Sequence, residues 1–184
     1  SILDDAFLES VRNLPQKNLA VELMRKLLNN EIKQRGKKNV VQSRSFAGML
    51  DDAIRRYENR AMDTMAILEE LIALAQEMNA ATRRGEQLNL SEDELAFYDA
   101  LEINDSAVAI LGDEELQTIA RELVAAVKRN ASIDWTLREN VRAKMRAIVK
   151  RILRKHGYPP DKQEKATQTV LEQAELLVEE ELPG

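Results

Sequence analysis

Apolar residues recur every three or four positions along almost the whole chain, the spacing of amphipathic helices. Phe7, Leu8, Val11 and Leu14 predict a short opening helix that Pro15 ends. From Gln16 to about Arg35, the apolar residues Leu19, Leu23, Met24, Leu27, Leu28 and Ile32 predict a second helix with Gly36 as its C-cap. Ser43 or Ser45 then caps a long predicted helix reaching about Arg84, with Gly85 as the stop. Its stripe includes Phe46, Leu50, Ile54, Tyr57, Met65, Leu68, Ile72 and Met78, and its length would be roughly 60 Å at 1.5 Å per residue. Without sustained heptads it reads as a bundle spine, and Asn59 or Gly48 marks where it would kink.

Ser91–Glu92–Asp93–Glu94 matches a capping box, and the helix it opens carries Leu95, Tyr98 and Leu101 and ends near Asn104. Gly112–Asp113 resets the chain for a helix whose inner face is Leu116, Ile119, Ala120, Leu123, Val124 and Val127. Thr136 and Glu139 form another capping-box pair, opening a helix to about Lys155 that Gly157 terminates. Pro159–Pro160 enforces the break, and Asp161 begins a last helix with Ala166, Val170, Ala174 and Leu177 inward. Val40–Val41 is too short for a strand, and no repeat at 30–45 residues is visible. The expected class is all-α: an irregular bundle of about seven helices with one long central helix. It reads as a single domain over residues 1–184, with 85–90 as the alternative point of sub-division.

Composition narrows the chemistry. Glycine and proline together number ten, well below the usual roughly 12% of residues, which disfavours a turn-dense β-sandwich or barrel. Zero cysteines remove disulfides, thiolate metal sites and cysteine nucleophiles. The single histidine, His156, cannot build a His-rich metal site, and Leu153 stands where a di-iron Glu-x-x-His pattern needs Glu. No uncharged stretch approaches the ~20 residues that span a bilayer, so no membrane association is expected. Asp4, Asp5 and Glu9 do not fit a signal peptide, and Ser1 in place of an initiator Met is the expected mark of a piece cut from a longer protein.

Charge is segregated. Residues 1–84, 85–127, 128–156 and 157–184 carry net +2, −10, +8 and −5, so a net-acidic chain still presents one strongly basic element. Within it Arg138, Arg142, Arg146, Lys150 and Arg154 follow at four-residue steps and form a ridge that drifts round the helix. Two readings stand side by side: a solvated face balanced by acidic neighbours, and a ridge contacting phosphates whose counterions are released on binding. Lys33, Arg35, Lys37, Lys38 and Arg44 form a second basic cluster with the same two readings.

A search for chemistry finds none. The only Gly-Lys, Gly36–Lys37, is followed by Lys38 instead of Ser or Thr and has Glu31 where a P-loop needs glycine. Asp113–Glu114–Glu115 sits at a helix start, where carboxylates favour the positive end of the dipole. Asp51–Asp52, Glu69–Glu70 and Glu179–Glu180–Glu181 are adjacent in sequence and so diverge on a helix. His156 stands at a helix end, where an imidazolium suits the negative terminus. Trp135 and Tyr57 read as core aromatics, with base stacking or a partner contact as the alternative.

Four ordered strings carry a resemblance across nearly the whole chain: Phe46 to Arg60 (FAGMLDDAIRRYENR), Leu90 to Leu101 (LSEDELAFYDAL), Asp134 to Glu139 (DWTLRE) and Lys155 to Lys162 (KHGYPPDK). The chain resembles the C-terminal helical domain of the motor and endonuclease (R) subunit of bacterial type I restriction enzymes. His156 departs from it, standing where relatives are expected to carry Tyr or another residue. The resemblance implies a cytoplasmic parent enzyme, an ATP-dependent type I site-specific deoxyribonuclease, with nuclease and motor domains that use ATP and magnesium. For this stretch it implies no catalytic residue, no metal and no cofactor, but docking onto the methyltransferase core of modification and specificity subunits. Contact with duplex DNA through the basic helix 137–155 is the alternative. Arg55, Arg56, Tyr57 and Arg60, with Trp135 if exposed, are the expected partner-binding residues, and Arg138, Arg142, Arg146, Lys150 and Arg154 the expected DNA-binding ones. The competing expectation for the first set is internal pairing with the acidic helix of residues 91–104.

Overall fold

The computed structural model describes residues 3–130, 138–160 and 163–181, the side chains of 138–141, 163, 180 and 181 excepted. Eight helices and no strand occur among the described residues, as the helical periodicity predicts. They divide into two units, residues 1–36 with 42–88, and residues 37–41 with 89–184.

The first unit opens with α1 (Asp5–Arg12), whose N-terminus is capped by the Asp4 side chain accepting from the Phe7 amide at 2.8 Å. Helix α2 (Lys17–Gly36) buries Ala20, Val21, Met24, Leu28 and Ile32. That inward row differs from the expected one. Positions 20, 24, 28 and 32 form one four-residue row and 19, 23 and 27 its neighbour, and only the first fits fully inside. Leu19 and Leu23 are left 61% and 38% exposed. Helix α3 (Val40–Glu58) starts before Ser43, whose hydroxyl donates to the Ile32 carbonyl at 3.1 Å instead of capping α3.

The predicted 40-residue helix is two. Helix α3 stops in a Schellman turn: the Ala61 amide donates to the Arg56 carbonyl and the Arg60 amide to the Tyr57 carbonyl, with Arg60 at φ 59°. Asp63 then caps α4 (Thr64–Gln87) by accepting from the Ala66 amide at 2.8 Å. Gly85 is not the stop either; it lies buried inside α4, and Asn89 at φ 56° takes the left-handed position just beyond the helix end. Ile67, Leu68, Leu71, Ile72, Ala75 and Met78 of α4 join Leu8, Val11, Met24, Leu28, Phe46 and Leu50 in one core. At ~1.5–3 kcal/mol per fully buried large side chain, this core dominates the unit's stability.

In the second unit α5 (Glu92–Glu102) begins with the predicted capping box: Glu94 amide to Ser91 Oγ at 3.1 Å, and Ser91 amide to Glu94 Oε1 at 2.8 Å. Leu95 through Leu101 are all buried, which makes α5 the centre of the unit. Helix α6 (Asp105–Asn130) is broken at Gly112, φ 80°, where the sequence places a reset; the short helical piece before it was not anticipated. Helices α7 (Arg138–Lys155) and α8 (Gln163–Glu181) pack on each other and on α6. The α7 end is a second Schellman turn, with Gly157 at φ 74°, the Tyr158 amide donating to the Leu153 carbonyl and both side chains buried. The Tyr158 hydroxyl donates to the Leu101 carbonyl at 2.7 Å, and burial pushes its pKa up to about 12. Segment 37–41 is held here too: Gln173 Nε2 donates to the Lys38 carbonyl, and Asn39 Nδ2 donates to Asp99 at 2.8 Å. No helix among the described residues is long and apolar enough to cross a membrane.

Arg60 adopts a left-handed conformation that costs a non-glycine residue ~1–2 kcal/mol, and its side chain is exposed. Arg60→Gly is therefore expected to raise stability by about 0.5–1 kcal/mol in urea unfolding. A loss of stability would mean that the arginine side chain, not the turn geometry, holds this corner.

Candidate interaction surfaces

From residue 142 to 155, α7 carries seven basic side chains and no acidic one. Its counter-charges come from the neighbouring helices. Arg142 pairs with Glu175 of α8 at 2.7 Å, and Arg146 and Lys150 share Glu164, the latter at 3.3 Å. Lys155 pairs with Glu122 of α6 at 3.0 Å. These side chains are between 28% and 66% exposed, so each pair contributes at most ~1 kcal/mol and acts mainly to orient the helix. Of the predicted ridge, Arg142, Arg146 and Lys150 thus lie on the α8 side. Arg154 is exposed on another face, and the Arg138 side chain lies outside the described residues.

His156 does more than favour a helix dipole. Its ring lies between two carboxylates of α6, Nδ1 at 2.5 Å from Glu115 and Nε2 at 2.5 Å from Glu122. A neutral imidazole donates through one nitrogen only, so serving both acids needs the imidazolium. Partial burial opposes the charge and is the largest single influence, but the hydrogen bonds and charges of Glu122 and Glu115 together outweigh it, and the pKa is raised above 6.5. Glu122 is lowered, chiefly by its hydrogen bond to His156; desolvation opposes this, and the hydrogen bond and charge of Lys155 and the charge of His156 add to the lowering. Nothing local signals this clamp, since the partners are 41 and 34 residues away.

The predicted partner-binding set separates. Arg56 makes a two-pronged ion pair with Glu70 of α4, bracing the corner between α3 and α4. Tyr57 packs half-buried on the core of the first unit. The Arg55 side chain is 70% exposed and reaches Asp52 at 3.6 Å, and Arg60 is exposed. Trp135 lies outside the described residues. Arg25 of α2 reaches Glu58 at 3.6 Å, which sets the end of α3 beside the helix that exposes Leu19 and Leu23. Leu14, these two leucines and Met65 of α4 are exposed although the sequence reading counts them in the apolar stripes. In the second basic cluster Arg35 turns inward, donating to the Met78 carbonyl at 2.7 Å and to Thr82, and lies over the Phe46 ring at 5.7 Å. Arg35 is thus a packing residue, its charge satisfied within the unit.

A raised histidine pKa has a definite sign. The clamp's stabilisation is fully present below the unfolded value of 6.5 and is lost as pH rises through the higher folded value. The melting temperature is expected to fall across that interval. His156→Gln should melt lower at pH 6 and show a flatter profile above it; an unchanged profile in the variant would contradict the clamp.

The description "Type I restriction enzyme HindI endonuclease subunit-like, C-terminal" fits residues 1–180 of the chain. The chain is 39% identical to the type I restriction enzyme HindI endonuclease subunit of Haemophilus influenzae over 180 residues, 98% of this chain and 17% of that protein. It is 32% identical to the putative type I restriction enzyme MjaIXP endonuclease subunit of Methanocaldococcus jannaschii, over 85% of this chain and 15% of that one. The chain therefore spans less than a fifth of the length of these curated relatives. No solved structure matches it significantly. With an all-α fold, the predicted capping box and the Gly157 turn in place, the chain belongs to the C-terminal domain family of HindI-like type I restriction endonuclease subunits.

Proposed function

We propose that this chain is a non-catalytic assembly module, which docks a type I restriction endonuclease subunit onto the methyltransferase core formed by modification and specificity subunits. The observation that carries this reading is the exposed pair Leu19 and Leu23 on α2, 61% and 38% exposed. Apolar anchors of this kind are what protein interfaces bury at their centre. A four-residue spacing puts both leucines on one helix face, and a soluble helix gains nothing from leaving two leucines in water. In this reading the ATP and magnesium of the parent enzyme belong to the rest of the subunit, whose relatives are about six times longer than the matched stretch. Cleavage of DNA belongs there as well.

The test is a pull-down of the purified modification–specificity complex by the chain. Leu19→Ser with Leu23→Ser is expected to weaken capture by about tenfold or more, as loss of two buried anchors of ~1–2 kcal/mol each would, while the melting temperature stays unchanged. Arg55→Ala with Arg60→Ala should give a smaller loss. Capture that survives the double leucine change would reject this surface.

A further inference from the structure

A cavity of about 240 Å³ opens in the second unit where the end of α5, the turn after α7 and the start of α8 meet. Ala100, Ile103, Ala166 and Tyr158 give it apolar walls, and Asn104, Lys165 and Thr169 supply polar atoms. At ~30 Å³ per water it has room for about eight waters, or for an organic molecule of roughly ten non-hydrogen atoms. Asn104 is 6% exposed and caps the start of α6, its Oδ1 accepting from the Ser106 amide at 3.1 Å and the Ala107 amide at 3.4 Å. That bonding fixes which end of the side-chain amide is which and makes Nδ2 a buried donor. Nδ2 lies close enough to the Tyr158 hydroxyl to temper the rise in its pKa, yet completes no hydrogen bond among the described residues. A second donor is Lys165, exposed in the first turn of α8 and paired with no carboxylate among the described residues. The two hydroxyls are already spent, Thr169 donating to the Lys165 carbonyl at 3.1 Å and Tyr158 to that of Leu101.

We propose that this cavity binds a small carboxylic acid with an apolar body, in its carboxylate form. Among the described residues no acid lines it, whereas an ammonium and an open amide donor do, and the first turn of α8 adds the positive end of a helix dipole. An anion is therefore the favoured charge. A purely apolar guest would bury Nδ2 without an acceptor, and inorganic phosphate would leave the alanine and isoleucine walls uncovered. With a pKa of about 12, Tyr158 stays protonated and brings no opposing negative charge. The two alanines set the available space, because a larger side chain at either position would occupy the volume of the guest. The site lies on the second unit and shares no residue with the Leu19–Leu23 surface, so it goes beyond the docking reading and does not rest on it.

The experiment is an NMR titration of the isotope-labelled chain with hydrocinnamate, a phenyl ring on a short acid, read from the backbone amide shifts. Saturable shifts at Ile103, Asn104, Ala166 and Thr169 are expected, with a dissociation constant of about 1 mM or tighter, as suits a guest of this size. Hydrocinnamide, the same body without the charge, should bind about tenfold more weakly. Lys165→Gln, a change at an exposed position, should weaken the acid by about threefold to tenfold while the melting temperature stays unchanged. Asn104→Asp keeps the cap on α6 but puts a carboxylate oxygen where the open donor stood, and Ala166→Leu fills the cavity; both should abolish binding. The absence of saturable shifts at these four residues would overturn the proposal. So would equal affinity for the acid and the amide, or binding of the acid that survives both Lys165→Gln and Asn104→Asp. N-acetylphenylalanine binding more tightly than hydrocinnamate would overturn it in favour of the carboxyl end of a partner chain.

Discussion

A helix with seven cations and no carboxylate between residues 142 and 155 must find its counter-charge outside itself, and that requirement organises the second unit. Self-repulsion along α7 is relieved on one side by Glu164 and Glu175 of α8 and on the other by Glu115 and Glu122 of α6. The acidic and basic blocks along the chain are therefore complementary surfaces of packed helices. No single exposed pair is worth much. Together with the apolar stripe beneath them they fix which way α7 is turned. Among the described residues, Lys144, Arg151 and Arg154 have no carboxylate partner, and all three are exposed.

The end of α7 shows how local and distant constraints meet. Gly157 permits the left-handed turn, and buried Tyr158 seals it, its amide donating to the Leu153 carbonyl and its hydroxyl to the Leu101 carbonyl. His156, at the cap, is thereby carried between Glu115 and Glu122. A side chain that would otherwise only sense the helix dipole becomes a charged tie between two helices, because the turn leaves its ring one place to go.

Signals that act within a few residues were legible in the sequence. The Ser91–Glu94 box, the break at Gly112 and the stop at Gly157 each need only their neighbours, and each is present. The break between α3 and α4 was legible only as a kink at Asn59 or Gly48: α3 does end beside Asn59, but Arg60 occupies the left-handed position where glycine or asparagine is the usual sign, and Asp63 caps α4 from within an unbroken helical pattern, so two separate helices were not expected. Gly85 misled for the converse reason: a buried glycine inside a helix looks like a stop when only its neighbours are read. For α2, two adjacent rows of apolar residues made the inward face ambiguous, and only the packed core decides that Leu19 and Leu23 stay outside. The direction of each α7 cation depended on carboxylates at least fourteen positions away in the chain, beyond the reach of periodicity.

His156 is the only histidine, so its ring nitrogens give one unambiguous signal set in a heteronuclear NMR titration of the chain. If α7 is held by carboxylates on its neighbours, both nitrogens are protonated at pH 6.5 and the midpoint lies above that value. A ring that is a single neutral tautomer at pH 6.5, with a midpoint below it, would contradict the account.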